Sequence, residues 1–123
     1  MSDILKDLHE IVGNRKVQGE EGSYTVYLFE KGLDKILKKI AEEAGETIIA
    51  AKSLEATTAQ KGSPEDEEAL KAAFAGEIAD LLYHLVVLQH ALGVDIDQVE
   101  KVLKERSGKT GNLKAQKKID KNT

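Results

Sequence analysis

The sequence predicts an all-α fold, a helical bundle of about four to five helices completed by dimerisation. Apolar residues recur at the spacing of one helix face along most of the chain, and the period-two alternation of strands is nearly absent. A single Pro and scattered Gly residues mark the breaks between the helical segments. The chain has 123 residues, which fits one domain of roughly 100 to 200 residues.

Two short helices are predicted at the start of the chain. Ser2 can cap a first helix that ends at Gly13, and residues 14–22 then form a polar loop. The second helix covers residues 24–31 and stops at Gly32, because glycine accepts the left-handed backbone found at helix C-termini.

Two long helices follow. The first covers residues 33 to about 59, with Asp34 as its cap and one apolar face. Ser63 and Pro64 then give a start signal, a capping residue followed by proline at the first helical position, for a helix that runs to about Leu92. Helices of roughly 27 to 30 residues are about 40 to 45 Å long. Since one chain of this size can hardly cover both, we predict a homodimer.

The last part of the chain is more polar. Gly93 closes the second long helix, and Asp95 or Asp97 caps a last short helix. Residues 107–123 carry five Lys against one Asp. We therefore predict a single domain over residues 1–106 and a flexible Lys-rich tail over residues 107–123.

The composition excludes several classes of protein. With 22 acidic against 18 basic residues, the formal net charge of -4 has the wrong sign for a general nucleic-acid binder. The absence of Cys excludes disulfide scaffolds and thiolate metal sites. No N-terminal signal sequence and no membrane-spanning segment are expected. These features predict a cytoplasmic protein that binds neither nucleic acid nor membrane.

A first acidic group lies in the first long helix. Glu42, Glu43 and Glu46 fall beside its apolar face, in one arc with Lys35 and Lys39. On its own, this pattern is more typical of a solvated Glu/Lys surface than of a functional site.

A second acidic group lies in the second long helix. Glu77, Asp80 and His84 share one side of an otherwise apolar helix, at spacings i, i+3 and i+7. Because such a helix is expected to be buried nearly all round, its carboxylates need a partner. Lys39 or Lys52 could pair with them, so a structural and a functional role both stay open for this group alone.

Together the two groups indicate a metal site. If the two long helices pack antiparallel, four or five carboxylates converge and repel one another. A cation between them removes that repulsion. Oxygen ligands in this number suit Mg²⁺ or Mn²⁺, which usually engages a phosphate chain as well. The sequence therefore predicts a divalent-cation site that acts on a small phosphorylated substrate.

Several motifs between residues 4 and 106 also resemble those of a known family. They are Ser23-Tyr24-Thr25, Lys39, Glu42-Glu43-Ala44-x-Glu46, Ala51-Lys52 and Glu77-x-Ala79-Asp80-Leu81-Leu82-Tyr83-His84-Leu85. In this order they resemble the phosphoribosyl-ATP pyrophosphohydrolases of histidine biosynthesis, which belong to the all-α MazG-like nucleotide pyrophosphohydrolases. The two acidic motifs mark the superfamily, and the Ser-Tyr-Thr and Tyr-His motifs favour this family.

The resemblance implies a homodimeric helical enzyme that uses Mg²⁺ to hydrolyse phosphoribosyl-ATP, a nucleotide, to phosphoribosyl-AMP and pyrophosphate. The implied metal ligands are Glu43, Glu46, Glu77 and Asp80. Glu42 is implied as a further ligand or as the base that orients water, and Glu43 as a catalytic group as well. The implied substrate-binding residues are Ser23, Thr25, Lys39, Lys52, His84 and Arg106.

One departure and two alternatives accompany this interpretation. Thirty residues separate Glu46 from Glu77, so we interpret residues 53–69 as an insertion that lengthens both helices or adds a lobe. A house-cleaning pyrophosphohydrolase of non-standard nucleoside triphosphates is the alternative within the enzyme class. A non-catalytic helical dimerisation module is the alternative outside it.

Overall fold

The computed structural model describes residues 3–108 and contains five α-helices. They are α1 (Ile4–Gln18), α2 (Tyr24–Lys31), α3 (Leu33–Ala59), α4 (Pro64–Leu92) and α5 (Ile96–Ser107). No strand occurs in this part of the chain, so the predicted all-α fold is confirmed. The predicted cap Ser2 and nearly all of the predicted tail lie outside the described residues, and dimerisation stays a prediction.

The helices fall into two compact units. Helices α1 to α4 belong to the unit that ends at Gly93, and α5 belongs to the unit that begins at Val94. The single domain over residues 1–106 stays a prediction. The acidic residues singled out in the sequence all lie in the first unit.

Helix α1 continues past Gly13 to Gln18, so the predicted helix end at Gly13 and the loop from residue 14 are wrong. A Cβ atom on Gly13 would lie 3.0 Å from Cε1 of His90, which means that the glycine lets the His90 ring of α4 pack closely on α1. His9 meets the same ring, with its Nδ1 3.3 Å from Nε2 of His90. This packing outweighs the cost of about 1 kcal/mol that glycine carries inside a helix.

Helix α4 has the predicted signal at each end. The Ser63 hydroxyl accepts a hydrogen bond from the backbone N–H of Asp66 at 3.1 Å, and Pro64 is the first helical residue. Gly93 ends the helix with a left-handed backbone, at φ 70°. These local signals explain why the boundaries of α4 could be predicted.

The caps predicted for α3 and α5 are confirmed only in part. Helix α3 begins directly after Gly32, whose φ is 91°, and has no side-chain cap. The prediction that Asp34 caps α3 is therefore wrong. Asp34 lies in the first turn of the helix, where its negative charge interacts favourably with the helix dipole. Of the two caps predicted for α5, Asp95 is used rather than Asp97, and it forms a capping box with Gln98.

Helices α3 and α4 form an antiparallel hairpin joined by a four-residue turn. Residues 53–69 make up the end of α3, this turn and the start of α4, so they form no separate lobe. Their interpretation as an insertion stays a prediction. The core draws on α1 to α4, and its buried apolar residues are Val12, Leu28, Ile36, Val86 and Val87. Among the residues that the structure describes, four polar side chains are also buried: His9, Thr25, Glu43 and His84.

Much of the apolar surface of the hairpin is not covered within one chain. Leu82 and Leu85 of α4 are 42% and 37% exposed, and Ile48 and Ile49 of α3 are 65% and 67% exposed. The expectation that α4 is buried nearly all round is therefore wrong for a single chain. Apolar side chains exposed in this way are available for contact with a partner.

Helix α4 is also the one described helix that is long and apolar enough to cross a membrane by length and composition alone. The sequence analysis expected no such segment. The core helix of a soluble protein passes the same test, so this property by itself is weak evidence for a membrane span.

Candidate metal centre and active site

Three carboxylates from the two long helices meet on the hairpin. One oxygen of each of Glu43, Glu77 and Asp80 lies within 4.8 Å of the others. Glu43 comes from α3, and the other two come from successive turns of α4. The antiparallel packing therefore joins acidic residues that are more than thirty positions apart in the sequence. We call these three residues the acidic cluster.

The members of the acidic cluster differ in burial. Glu43 is buried, Glu77 is half-buried, and Asp80 is exposed in a single chain. The cluster is thus a site with a covered side on α3 and an open side at Asp80. The expectation that Asp80 is enclosed by apolar side chains is wrong for one chain, for the same reason that α4 is not fully covered.

The charges in the cluster are poorly compensated. Burial raises the pKa of Glu43, and the neighbouring carboxyl of Glu46 raises it further. Burial and the same Glu46 carboxyl also raise the pKa of Glu77. The Oε2 atoms of Glu43 and Glu77 are buried and have no hydrogen-bond partner within the described residues. Buried acceptors without a donor are costly, and a bound cation would remove that cost.

The donor set of the acidic cluster fits a hard divalent cation. All three residues offer carboxylate oxygens, and Glu43 and Glu77 each have a buried oxygen without a hydrogen-bond partner among the described residues. Oxygen ligands of this kind suit Mg²⁺ and Mn²⁺. Glu46, the fourth predicted ligand, is exposed and lies beside Glu43 and Glu77, but it is not one of the three converging carboxylates.

Glu42 and Lys39 form the outer edge of the site. The Nζ of Lys39 lies 3.0 Å from Oε2 of Glu42 and 3.7 Å from Oε1 of Glu43. The hydrogen bond from Lys39 lowers the pKa of Glu42 and keeps its carboxylate charged at neutral pH. The side chain of Glu42 is 43% exposed, so water reaches it freely. Lys39 brings a positive charge to the edge of the cluster.

His84 connects the acidic cluster to α2. Its Nδ1 lies 2.7 Å from the backbone carbonyl oxygen of Asp80, which can only accept, so Nδ1 carries the proton. In the neutral ring Nε2 is then an acceptor, and it receives the hydrogen bond of the Tyr24 hydroxyl at 2.8 Å. His84 is buried, and both of its ring nitrogens are bonded within the chain. This arrangement orients the ring, and the predicted contact of His84 with substrate stays a prediction.

The sequence analysis missed Tyr24 as a site residue. Its pKa is raised by burial, while the positive charge of Lys39 opposes that rise and Glu43 adds to it. Tyr24 therefore lies within electrostatic reach of the cluster. The available signal was its place between Ser23 and Thr25 in the motif shared with the family.

Ser23 and Thr25, which flank Tyr24, both have structural partners. The Ser23 hydroxyl accepts from the backbone N–H of Val26 at 3.4 Å and so caps α2. Thr25 is buried, and its hydroxyl hydrogen-bonds the hydroxyl of Tyr83. Their predicted substrate contacts stay predictions.

The last two predicted substrate residues are Lys52 and Arg106. Lys52 forms an ion pair with Glu55 one turn further along α3, and its side chain is 72% exposed. Arg106 is exposed in α5, which belongs to the second unit. A contact of either residue with substrate stays a prediction.

Comparisons with known proteins agree with the motifs. The family described as phosphoribosyl-ATP pyrophosphohydrolase matches residues 5–107. A phosphoribosyl-ATP pyrophosphatase of Listeria welshimeri is 44% identical over 117 residues, which cover 95% of this chain and 98% of that protein. The protein of the same name from Streptococcus sanguinis is 43% identical over 95% of this chain and 98% of its own length. That from Bacillus cytotoxicus is 42% identical over 98% of each.

The matched region contains all of α1 to α4 except the first residue of α1, and with them the whole acidic cluster. Both the family match and the relatives cover nearly the full length of the chain. The chain belongs to the phosphoribosyl-ATP pyrophosphohydrolase family.

Proposed function

We propose that this protein hydrolyses phosphoribosyl-ATP to phosphoribosyl-AMP and pyrophosphate, as a cytoplasmic enzyme of histidine biosynthesis. Family membership supports the substrate. The observation that carries the chemistry is the convergence of Glu43, Glu77 and Asp80 within 4.8 Å, with two buried carboxylate oxygens that have no donor among the described residues. Such a cluster is suited to bind a cation beside a phosphate chain.

The cofactor in this proposal is Mg²⁺, with Mn²⁺ as a substitute. Glu43, Glu77 and Asp80 would hold the ion, and Glu46 would support it from the neighbouring turn of α3. When bound, the ion supplies positive charge that stabilises a triphosphate and the charge developing on it during hydrolysis.

The remaining chemistry belongs to side chains at the edge of the site. Glu42 is charged and accessible to water, so we assign it to orient the attacking water molecule. Lys39 holds Glu42 in place and adds positive charge where the phosphates enter. No covalent intermediate is needed, because hydrolysis of a phosphoanhydride depends on positioning and electrostatic stabilisation.

Tyr24 and His84 are positioning residues in this proposal. Their hydrogen bonds fix α2 against the turn of α4 that carries Asp80. We assign His84 to hold the helix turn that carries Asp80.

A homodimer completes the proposed enzyme. The uncovered apolar surface that includes Ile48, Leu82 and Leu85 supports this state, since a second copy can bury it. In such a dimer the second copy would cover the apolar surface of α4, and we propose that the protein does not enter membranes.

The substrate assignment is tested by a panel of phosphoribosyl-ATP and the common and modified nucleoside triphosphates, assayed for pyrophosphate with Mg²⁺ and with EDTA. We expect the highest kcat/KM for phosphoribosyl-ATP and no turnover in EDTA. Glu77→Gln should abolish turnover, whereas the matched control Glu68→Gln, on the exposed surface of the same helix, should retain it. Preference for a modified triphosphate would favour the house-cleaning function, and no turnover of any substrate would favour a dimerisation module.

A further inference from the structure

A concave site separate from the acidic cluster lies where α1 ends and α2 begins. It is a cavity of about 620 Å³, within the range of roughly 300 to 1,000 Å³ typical of small-molecule sites. Its lining consists of Asn14, Arg15, Gln18, Gly19, Glu20, Ser23 and Tyr24. None of the carboxylates of the acidic cluster lines this cavity.

The close contact between the end of α1 and the start of α2 requires a glycine at position 19. A Cβ atom at this position would lie 2.2 Å from the carbonyl oxygen of Arg15 and 2.2 Å from Cγ2 of Val26, distances that no side chain can tolerate. The glycine therefore allows the end of α1 to turn tightly against the start of α2. This close approach brings Arg15 and Ser23 to the same cavity.

The lining is suited to a phosphorylated sugar. Among the described residues, Arg15 is the only cation in the lining, and guanidinium is the side chain that best matches the two oxygens of a phosphate group. Asn14, Gln18 and Ser23 offer neutral donors and acceptors for hydroxyl groups. Helix α2 also begins here, with the positive end of its dipole, and Glu20 is the one acid of the lining.

Hydrogen bonds connect the cavity to the turn of α4 that carries Asp80 of the acidic cluster. Tyr24 lines the cavity, while its hydroxyl hydrogen-bonds His84, which in turn bonds the backbone carbonyl of Asp80. Tyr24 is therefore the lining residue that links the cavity to the helix turn of the acidic cluster.

We propose that this cavity binds the ribose 5-phosphate end of the substrate, with Arg15 as its phosphate-binding residue. This subsite rests on the proposed function, because that end is the part of phosphoribosyl-ATP that a common nucleoside triphosphate lacks. The cavity thereby determines specificity, while the acidic cluster serves the triphosphate end.

The test compares steady-state kinetics of the wild type, Arg15→Gln, Arg15→Lys and the control Lys6→Gln in the full-length protein with Mg²⁺. Lys6 is exposed on the same helix and does not line the cavity. Arg15→Gln should raise the KM for phosphoribosyl-ATP about tenfold or more, the effect of losing a charge-assisted contact, with little change in kcat. Arg15→Lys should lie between it and the wild type, and Lys6→Gln should match the wild type.

The inhibition constant of ATP as a competitor distinguishes the two ends of the substrate. It should be the same in Arg15→Gln as in the wild type, because ATP has no ribose 5-phosphate end to place in the cavity. An unchanged KM for phosphoribosyl-ATP in Arg15→Gln would overturn the subsite, and so would an equal weakening of ATP. Failure of the wild type to release pyrophosphate from phosphoribosyl-ATP would instead overturn the proposed function itself.

Discussion

The hydroxyl of Tyr24 donates a hydrogen bond to Nε2 of His84 across 2.8 Å, between residues sixty positions apart in the sequence. The other ring nitrogen of His84 donates to the carbonyl of Asp80. One imidazole thus ties the short helix α2 to the turn of α4 that supplies a carboxylate to the acidic cluster.

Tyr24→Phe should separate positioning from metal binding. The change leaves the buried Nε2 of His84 without its donor, which should cost roughly 1 to 3 kcal/mol in the free energy of unfolding. We expect kcat to fall while Mg²⁺ affinity changes little. Urea unfolding and turnover measure the two effects, and Tyr27→Phe, at an exposed tyrosine of the same helix, is the control. Unaltered kcat in Tyr24→Phe would exclude the positioning role.

Glu42→Gln should lower kcat by at least tenfold while the calorimetric affinity for Mg²⁺ stays near that of the wild type. The reason is that Glu42 lies outside the acidic cluster and, in the proposed mechanism, orients the attacking water. A large loss of Mg²⁺ affinity would instead make Glu42 a metal ligand. Lys38→Gln, which changes an exposed charge on α3, controls for the altered surface charge.

The metal-free protein should become more stable as pH falls from 7 towards about 4.5. The pKa of Glu43 is raised above its ordinary value of 4.5 by burial and by Glu46, so folding favours its protonated form. Its stabilising contribution is therefore fully present below the unfolded pKa and is lost as pH rises through the folded pKa. Glu77 contributes with the same sign, and Glu42, whose pKa is lowered, with the opposite one.

Urea unfolding in EDTA across this pH range measures the effect as the difference between wild type and Glu43→Gln. The variant cannot gain a proton at position 43, so it should be the more stable protein at pH 7 and lose that advantage at low pH. A difference that is independent of pH would contradict the assigned direction of the pKa shift. Saturating Mg²⁺ should remove the advantage of the variant at pH 7.

Leu82→Glu should dissociate the proposed dimer. Leu82 lies in the uncovered apolar surface of the hairpin, where a charge would be buried against the second copy. Light scattering should give twice the chain mass for the wild type and a single chain mass for the variant. Val17→Glu, which places the same charge at a 79% exposed residue of α1, should remain dimeric. A monomeric wild type at micromolar concentration would contradict the proposal.

Local signals made most of the fold predictable. The cap at Ser63 and the helix end at Gly93 can be predicted from the residues next to them, and both occur in the structure. The end of α1 was mispredicted because Gly13 is kept helical by packing against His90, which no local pattern reveals. The burial of α4 was mispredicted because an apolar run does not show whether the other helices of the chain cover it.

The acidic cluster was predictable in part because helix periodicity places Glu77 and Asp80 on one side of α4, and antiparallel packing then brings them to Glu43. The surroundings of His84 were not predictable in this way. Its partner Tyr24 comes from a different helix, and a histidine next to carboxylates gives no sign of whether its ring nitrogens face substrate or protein.

Calorimetric titration of Mg²⁺ into Asp80→Asn, beside its turnover of phosphoribosyl-ATP, tests most directly whether the acidic cluster holds the ion that hydrolysis requires. The substitution removes one of three crowded carboxylates at an exposed position, so the fold should persist while Mg²⁺ binding and pyrophosphate release are lost together. Asp34→Asn, in the first turn of α3, should retain both. Near wild-type turnover in Asp80→Asn would show that the acidic cluster is structural.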